Sequence, residues 1–494
     1  MRAIDAAAVA RDGEIALMAA AGGAIASLIP RYAHAGAIVA IAGDGNNGGD
    51  AFAALASLDR SFRRIVYEDP ERHGSPARMD ARRRALESGV ELRRFPIDAA
   101  TLRDAGLLLD GIVGVNARLP LNATMRELAR TLNASGAPVL ALDVPSGLDP
   151  TDGRAEADAV RAVATICLGR PKRGLFFAPA LSFAGDVWCA SLGMRDEDTA
   201  DSGDRTELLD DETFAALIPR RSRESEKRSS GAPLIVAGSE QFPGAAVLCA
   251  LGAARAGAGY VTVAAPANAA AALRAHLIEQ VVVTFDEHDP DGALDTILDI
   301  AKRSSSIAIG PGLPLADAMG SIVRGVIERA DLPIVADASA FFHLTKRLDL
   351  VKDKRIVLTP HANEFARLSG KGTVKPEERY ARLRAFVEEH DVTTLLKGEI
   401  TLIADRDTTH INTTGTSALA SAGTGDVLSG IIATLLAQGL SPIDAARAGA
   451  YWHGRAGRIA GERRPVGVIA RDVYEALAEA SVVAPHPEPI RILG

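Results

Sequence analysis

The sequence predicts two α/β domains in tandem, each built on a parallel, helix-covered sheet. Three observations lead there. Short aliphatic runs recur along the chain, most of them ending in glycine with asparagine, aspartate or proline. Between them lie longer segments whose apolar residues repeat at three- and four-residue intervals, the pattern of helices laid on a sheet. The composition is 47% hydrophobic but only 4% aromatic over 494 residues, which suits buried aliphatic strands and supplies enough chain for two cores.

Residues 1–35 read as helix on an alanine-rich background, with Ile4, Leu17, Met18 and Ile25 on the repeating face. Ala37 to Ala42 is a strand, followed by the turn Gly43-Asp44-Gly45-Asn46-Asn47-Gly48-Gly49-Asp50 and a helix from Ala51. Strand, glycine-rich turn and helix make the first half of a βαβ unit. Gly43, Gly45 and Gly48 have the spacing of a dinucleotide-binding turn, which decides little alone. Asn46 to Asp50 is more specific, because amide oxygens and a carboxylate at a strand end suit a hard cation and sugar hydroxyls. Leu107-Leu108-Leu109 leads likewise into Asp110-Gly111-Ile112-Val113-Gly114, and Val139 to Leu142 into Asp143-Val144-Pro145-Ser146-Gly147. Ligands of open α/β sheets bind at the carboxyl ends of strands, so the three loops are expected to meet at one crevice. Taken singly, each aspartate also reads as a helix cap. The basic run Arg78 to Glu87 reads as a solvated helix face without a function.

Together the N-N-G-G-D, Asp-x-x-x-Gly and D-V-P-S-G elements resemble the NAD(P)H-hydrate epimerase family, over roughly residues 1–205. The resemblance implies a Rossmann-like three-layer domain and a potassium ion held by Asn47, Asp110 and Ser146. It also implies a hydrated nicotinamide nucleotide against Asn46, Asn47, Gly48, Gly49, Asp50, Gly114, Arg118 and Asp143, with Asp143 as acid and base. Two positions depart from the family pattern: Ala51 stands where a glycine is usual, and Gly114-Val115-Asn116-Ala117-Arg118 replaces Gly-Thr-Gly-Leu.

Residues 206–230, acidic and then basic with little apolar pattern, read as a linker holding a short helix. The second domain is expected over 231–494. Its strands are read at Pro233 to Val236, Tyr260 to Ala265, Ser306 to Ile309, Pro333 to Ala336, Arg355 to Leu358 and Thr394 to Leu396. The two halves share no period or motif order, so they read as a fusion of unlike units.

Asn412 to Ile432 carries the strongest chemical signal. A glycine-rich loop, Gly423-Thr424-Gly425-Asp426, opens directly into an apolar helix, whose free N–H groups and dipole seat a phosphoryl group. Asp426 either caps that helix or takes a proton from a substrate hydroxyl. Gly-Thr-Gly-Asp resembles the anion-hole motif of the ribokinase-like superfamily. With Gly244-Ala245, Gly310-Pro311-Gly312, Thr359-Pro360-His361 and Lys397-Gly398-Glu399-Ile400-Thr401 in this order, residues 211–490 resemble the ADP- or ATP-dependent NAD(P)H-hydrate dehydratase family. The resemblance implies a ribokinase-like fold, with Ala245, Gly312, His361 and Asp426 on the hydrate. Lys397, Gly398, Glu399, Ile400, Thr401, Gly423, Thr424 and Gly425 fall to the nucleotide, and Asp426 is the second catalytic residue. Magnesium is expected with the nucleotide, with Glu364 and Asp337 as its neighbours. Here Pro360-His361-Ala362-Asn363-Glu364 replaces P-H-P-G-E, and Asp337-Ala338-Ser339-Ala340 lacks a second aspartate.

The expected function is therefore bifunctional repair of the hydrates of NADH and NADPH. A ribokinase-like small-molecule kinase with a dinucleotide-binding N-domain, and a nucleotide sensor without turnover, are the alternatives. The net charge of −8 gives no nucleic-acid footprint. Cys167, Cys189 and Cys249 lack metal or disulfide spacing, so a cytoplasmic chain with free thiols is expected. No apolar run reads as a membrane span. A homo-oligomer is expected, though charge alone defines no surface for it.

Overall fold

The computed structural model describes residues 2–69, 74–115, 119–195, 205–219, 226–483 and 489–493. Arg118 and the central part of its loop lie outside them. The chain divides into two compact units, Met1–Asp204 with Pro485–Gly494, and Arg205–Ala484.

In the first unit the strands β1 (Ala37–Ala42), β2 (Arg64–Glu68), β3 (Glu91–Arg94), β4 (Ala105–Gly111), β5 (Val139–Leu142), β6 (Ala164–Leu168) and β7 (Asp186–Ala190) pair in parallel, in the spatial order 7-6-5-4-1-2-3. The C-terminal strand Ile490–Leu493 adds antiparallel to β7, so the end of the chain belongs to this sheet and not to the second domain as the sequence suggests. Alternation along β4 explains the three layers. Leu107 and Leu109 pack on one face beneath Met18, Ile25 and Phe52, while Leu108 packs on the other with Val39, Ile65 and Leu132.

Several local expectations are corrected. Residues 1–35 form two helices, Arg2–Asp12 and Glu14–Tyr32, broken at Gly13, whose φ of 83° continues no helix. By length and composition Glu14–Tyr32 is apolar enough to cross a membrane, contrary to the reading that no run is. Its Met18, Ala21, Ile25 and Ile29 are buried in the core of this unit. The helix after β1 starts at Asn46 and not Ala51, so Asn46 to Asp50 form its first turn and a half. The basic run is not wholly solvated either. Arg78 is fully buried, donating to the Gly43 carbonyl at 2.9 Å and to Glu68 Oε2 at 3.3 Å.

The second unit holds a ten-stranded sheet. It comprises β8 (Thr206–Leu208), β9 (Pro233–Val236), β10 (Thr262–Pro266), β11 (Val281–Phe285), β12 (Ser306–Ile309), β13 (Ile334–Ala336), β14 (Ile356–Leu358), β15 (Thr393–Leu396), β16 (Thr401–Ala404) and β17 (Thr409–Asn412). The order is 11-10-9-12-13-14-15-16-17-8, parallel except where β16 runs against β15 and β17. Part of the presumed linker is thus structured: β8 closes this sheet, and the helix Asp211–Leu217 buries Phe214 against Tyr451, with ring centroids 5.2 Å apart. Residues 220–225 of that segment lie outside the described residues.

Replacing Arg78 by Met strips Glu68 of a fully buried partner and frees the Gly43 carbonyl. The first unit is expected to lose about 3 kcal/mol of stability. Urea unfolding of this unit, followed by hydrogen exchange on β1 and the turn after it, measures the loss.

Candidate active sites

The first site begins where β1 and β4 end side by side. Gly43 N–H donates to the Gly111 carbonyl at 2.9 Å, and a Cβ on Gly43 would overlap the Ile112 carbonyl. A Cβ on Gly48 would overlap the Gly43 carbonyl, so glycine is needed at both positions for the turn to lie this close. The close approach brings Asn47 against the loop after β4. Its Nδ2 donates to the Val113 carbonyl at 2.9 Å, while its buried Oδ1 has no hydrogen-bond partner among the described residues. Ser146 donates to Asp110 through its backbone N–H at 2.8 Å and its hydroxyl at 2.7 Å, and its Oγ accepts from the Val113 N–H at 3.2 Å. Asn47 and Ser146 therefore meet at Val113, and Ser146 links that point to Asp110.

Asp110 is completely buried, and burial pushes its carboxyl up to about 6 despite the donors from Ser146 and Ile112. Among the described residues it forms no ion pair. A buried carboxylate without a cation, beside an orphaned amide oxygen, a hydroxyl and a carbonyl, is an all-oxygen donor set that fits a hard cation. Among the described residues no group of three His, Cys, Asp or Glu assembles as a transition-metal cage.

Beside this cluster opens a cavity of about 460 Å³, within the usual range for a small-molecule site. Asn46, Asn47, Asp50, Gly114 and Asp143 line it, with Asp5, Glu14 and Lys172, which sequence reasoning did not single out. Asn46 is held by Glu14 and Ser75, each at 2.8 Å, and Gly49 makes room for the side chain of Met18. Asp143 sits at a φ of 66°, its carboxylate taking the Leu168 N–H at 3.0 Å and pairing with Lys172. Burial, and then the Asp143 charge, lift the Asp50 carboxyl well above the usual carboxylate range. For Lys172 a clue exists in the sequence: it stands four residues beyond the end of β6, at the carboxyl end of a central strand.

The second site centres on Asp426, the third residue of the helix Thr424–Ala437. Gly423 precedes that helix in the left-handed region at φ 89°, and no side chain caps it, which leaves the first turn for an anion. Thr424 ties the turn down, its hydroxyl donating to the Leu419 carbonyl at 2.8 Å and the Ser421 carbonyl at 3.0 Å. Lys397, at the end of β15, donates to Asp337 at 2.8 Å and lies 4.0 Å from Glu364. Ser429, one turn beyond Asp426, donates to the other Asp337 oxygen at 2.8 Å. A Cβ on Gly425 would stand 3.4 Å from the Lys397 ammonium, so lysine and loop are in contact range. Burial and then the Asp337 charge push Asp426 up to about 7, with Lys397 opposing them.

Gly312, at a φ of 66°, packs on Ala245 in the first turn of the helix Pro243–Arg255, and Leu248 of that helix packs on Gly423. Of the five residues Lys397 to Thr401, the lysine alone sends its side chain into the acidic cluster. Gly398, Glu399 and Ile400 form the turn between β15 and β16, Gly398 lying flat against the Arg379 guanidinium, and Thr401 opens β16. His361 caps the helix Ala362–Ser369: its Nδ1 accepts from Asn363 at 3.1 Å and Glu364 at 3.4 Å, and Glu364 accepts from the His361 N–H at 2.8 Å. Capping leaves half the ring open to solvent.

Residues 14–174 match the family model described as YjeF-related protein N-terminus, and residues 233–479 match the model described as NAD(P)H-hydrate dehydratase. A bifunctional NAD(P)H-hydrate repair enzyme of Salinibacter ruber is 33% identical over 89% of this chain and 86% of that protein. One from Mycobacterium leprae is 35% identical over 85% of this chain and 83% of its own length. The crystal structure of a ribokinase-like superfamily protein from Enterococcus faecalis superposes on 56% of the chain and 95% of itself, with a TM-score of 0.50 and 27% identity. With both models matched in the order of the two structural units, and the relatives matched across both, the chain belongs to the family of bifunctional NAD(P)H-hydrate repair enzymes.

Proposed function

We propose that the first unit interconverts the R and S hydrates of NADH and NADPH, and that the second dehydrates the S hydrate at the expense of ADP or ATP. The observation that carries the reading is the pairing, on one chain, of an acidic cavity beside an all-oxygen cation cluster with an uncapped helix start that holds a half-buried aspartate beside a lysine. Each suits one half of the repair.

In the hydrate, a hydroxyl sits on the carbon next to the ring nitrogen. For epimerisation the nitrogen lone pair expels that hydroxyl, which leaves as water once a proton is supplied, and a C=N⁺ bond forms. Water then adds to the opposite face and gives up a proton. Asp50, whose carboxyl burial lifts well above the usual carboxylate range, is the donor in this reading, and Asp143 is the acceptor. The donor set of Asn47, Asp110, Ser146 and the Val113 carbonyl suits potassium, which supplies a fixed positive charge for an anionic nucleotide. Asn47 and Ser146 also shape the cavity wall that the nucleotide contacts.

In the second unit the substrate hydroxyl attacks the terminal phosphoryl group, and Asp426 accepts its proton. Phosphoryl transfer is mainly positioning and charge stabilisation, so Lys397 and the N–H groups of Gly423 to Asp426 hold the charge that develops. The phosphorylated carbon then loses phosphate as the ring nitrogen pushes, and loss of a proton from the adjacent carbon restores the dihydropyridine. Magnesium bound with the nucleotide would supply further charge neutralisation. Glu364 and Asp337 suit it as water-mediated holders, because Lys397 and Ser429 already fix the Asp337 oxygens directly.

With mixed hydrates and nucleotide, the wild type is expected to return all the material as NADH or NADPH with one phosphate per molecule. Asp143→Asn should return only the S fraction, and Asp426→Asn none. An accumulating phosphoester in place of free phosphate would count against the reading. Asp426 acts in its ionised form, which is lost as pH falls through about 7. The dehydration kcat/KM should therefore plateau above neutrality and fall about tenfold per pH unit well below it. Exchanging potassium for choline should slow R-to-S conversion about tenfold and lower the melting temperature of the first unit, an effect absent in Asn47→Ala.

A further inference from the structure

Lys172 is the only basic side chain among the described residues that line the 460 Å³ cavity, whose lining also holds five carboxyl groups. Asp5 and Glu14 come from the two N-terminal helices, Asp44 and Asp50 from the turn and helix after β1, and Asp143 from the loop after β5, while the loop after β4 and the segment after β7 add none among the described residues. The thiols of Cys167 on β6 and Cys189 on β7 are its other titratable neighbours. Only 2% of Lys172 is exposed, and its ammonium is anchored by donating to the Leu168 carbonyl at 2.7 Å. From that anchor it pairs with Asp143 alone among the five.

The pairing is directional. Lys172 and the Leu168 N–H both fall on Asp143 Oδ1, so Oδ2 is left as the oxygen able to take a proton. Asp143 itself stands in the left-handed region, where few non-glycine residues rest, and the end of β6 is what clamps its carboxylate. We propose that Lys172 is the positioning residue of the epimerase site, selecting Asp143 from the five carboxyl groups as the charged base and turning its Oδ2 toward the reacting water. The inference rests on the epimerase reading above. In the step it serves, the water oxygen bonds to the C=N⁺ carbon, the C=N⁺ π electrons return to nitrogen, and the water proton passes to Asp143 Oδ2. The reverse step returns it. Burial then favours the uncharged form of Asp50, and the Asp143 charge reinforces this, which fits the division into one base and one acid.

The test follows R-to-S conversion of the purified R hydrate in full-length Lys172→Met and Lys172→Arg. Rates are normalised to dehydration of the S hydrate by the same preparation. In the methionine variant kcat should fall about a hundredfold, with the acidic limb of the pH–rate profile displaced upward by about one pH unit, because the carboxylate loses its counter-charge. The arginine variant, which keeps the charge but not the geometry, should lose rate while keeping the wild-type limb. A methionine variant whose profile drops evenly with an unmoved limb would overturn the inference, leaving Lys172 a purely structural residue. Should that variant not fold, Lys172→Gln, which also removes the charge, is read by the same criterion: a limb displaced upward supports the role and an unmoved one overturns it. A wild type that leaves the R hydrate unchanged at every pH would instead sink the epimerase reading itself.

Discussion

The constraint on which the first site depends is the distance between two strand ends. β1 and β4 close on each other until only glycine fits at position 43, and this contact turns Asn47 toward Val113 and sets Asp110 beside Ser146. Any side chain there would push the turn outward and take Asn47 away from the loop after β4. Arg78 holds the same turn from behind through the Gly43 carbonyl, and Glu68 holds Arg78. A buried ion pair is costly to assemble, and here it supports the one piece of backbone that the site cannot do without.

The second site solves a different problem with similar means. A phosphoryl group in transfer needs donors that do not have to reorganise, and the N-terminus of a helix left uncapped by any side chain supplies them. Lys397 is fixed by Asp337, and Asp337 by Ser429 on the same helix that carries Asp426. Base, cation and anion seat are thus referenced to a single rigid element. Burial, reinforced by the Asp337 and Glu364 charges, pushes Asp426 up to about 7, where it is useful as a base.

Much of this was legible in the sequence, for reasons that can be stated. Buried parallel strands are aliphatic and end abruptly, so their carboxyl ends, and with them Asp110, Asp143, Asp337 and Lys397, are visible as punctuation after apolar runs. What propensity hides is position within an element. Asn46-Asn47-Gly48-Gly49 looks like a loop because asparagine and glycine are poor helix formers, yet close packing on Gly43 and Met18 makes it helical. Charge misleads in the same way. Arg78 and Lys172 both sit in basic stretches that resemble solvated surface, and only the fold shows that each is buried against a specific carboxylate. The short strands Thr206–Leu208 and Ile490–Leu493 are too brief for a periodic signal, and only pairing with a distant neighbour defines them.

That last pairing alters how the chain is wired. Because Ile490–Leu493 borders the sheet begun before residue 200, the second unit is inserted into the first and does not merely follow it. A cut between the units would therefore part the first sheet from its outermost strand. The leading fragment would be left with β7 as a bare border of unmatched peptide groups, an invitation to self-association. Synthesis of the first fold likewise reaches completion only after the whole guest has been made, which binds the production of the two halves into one event.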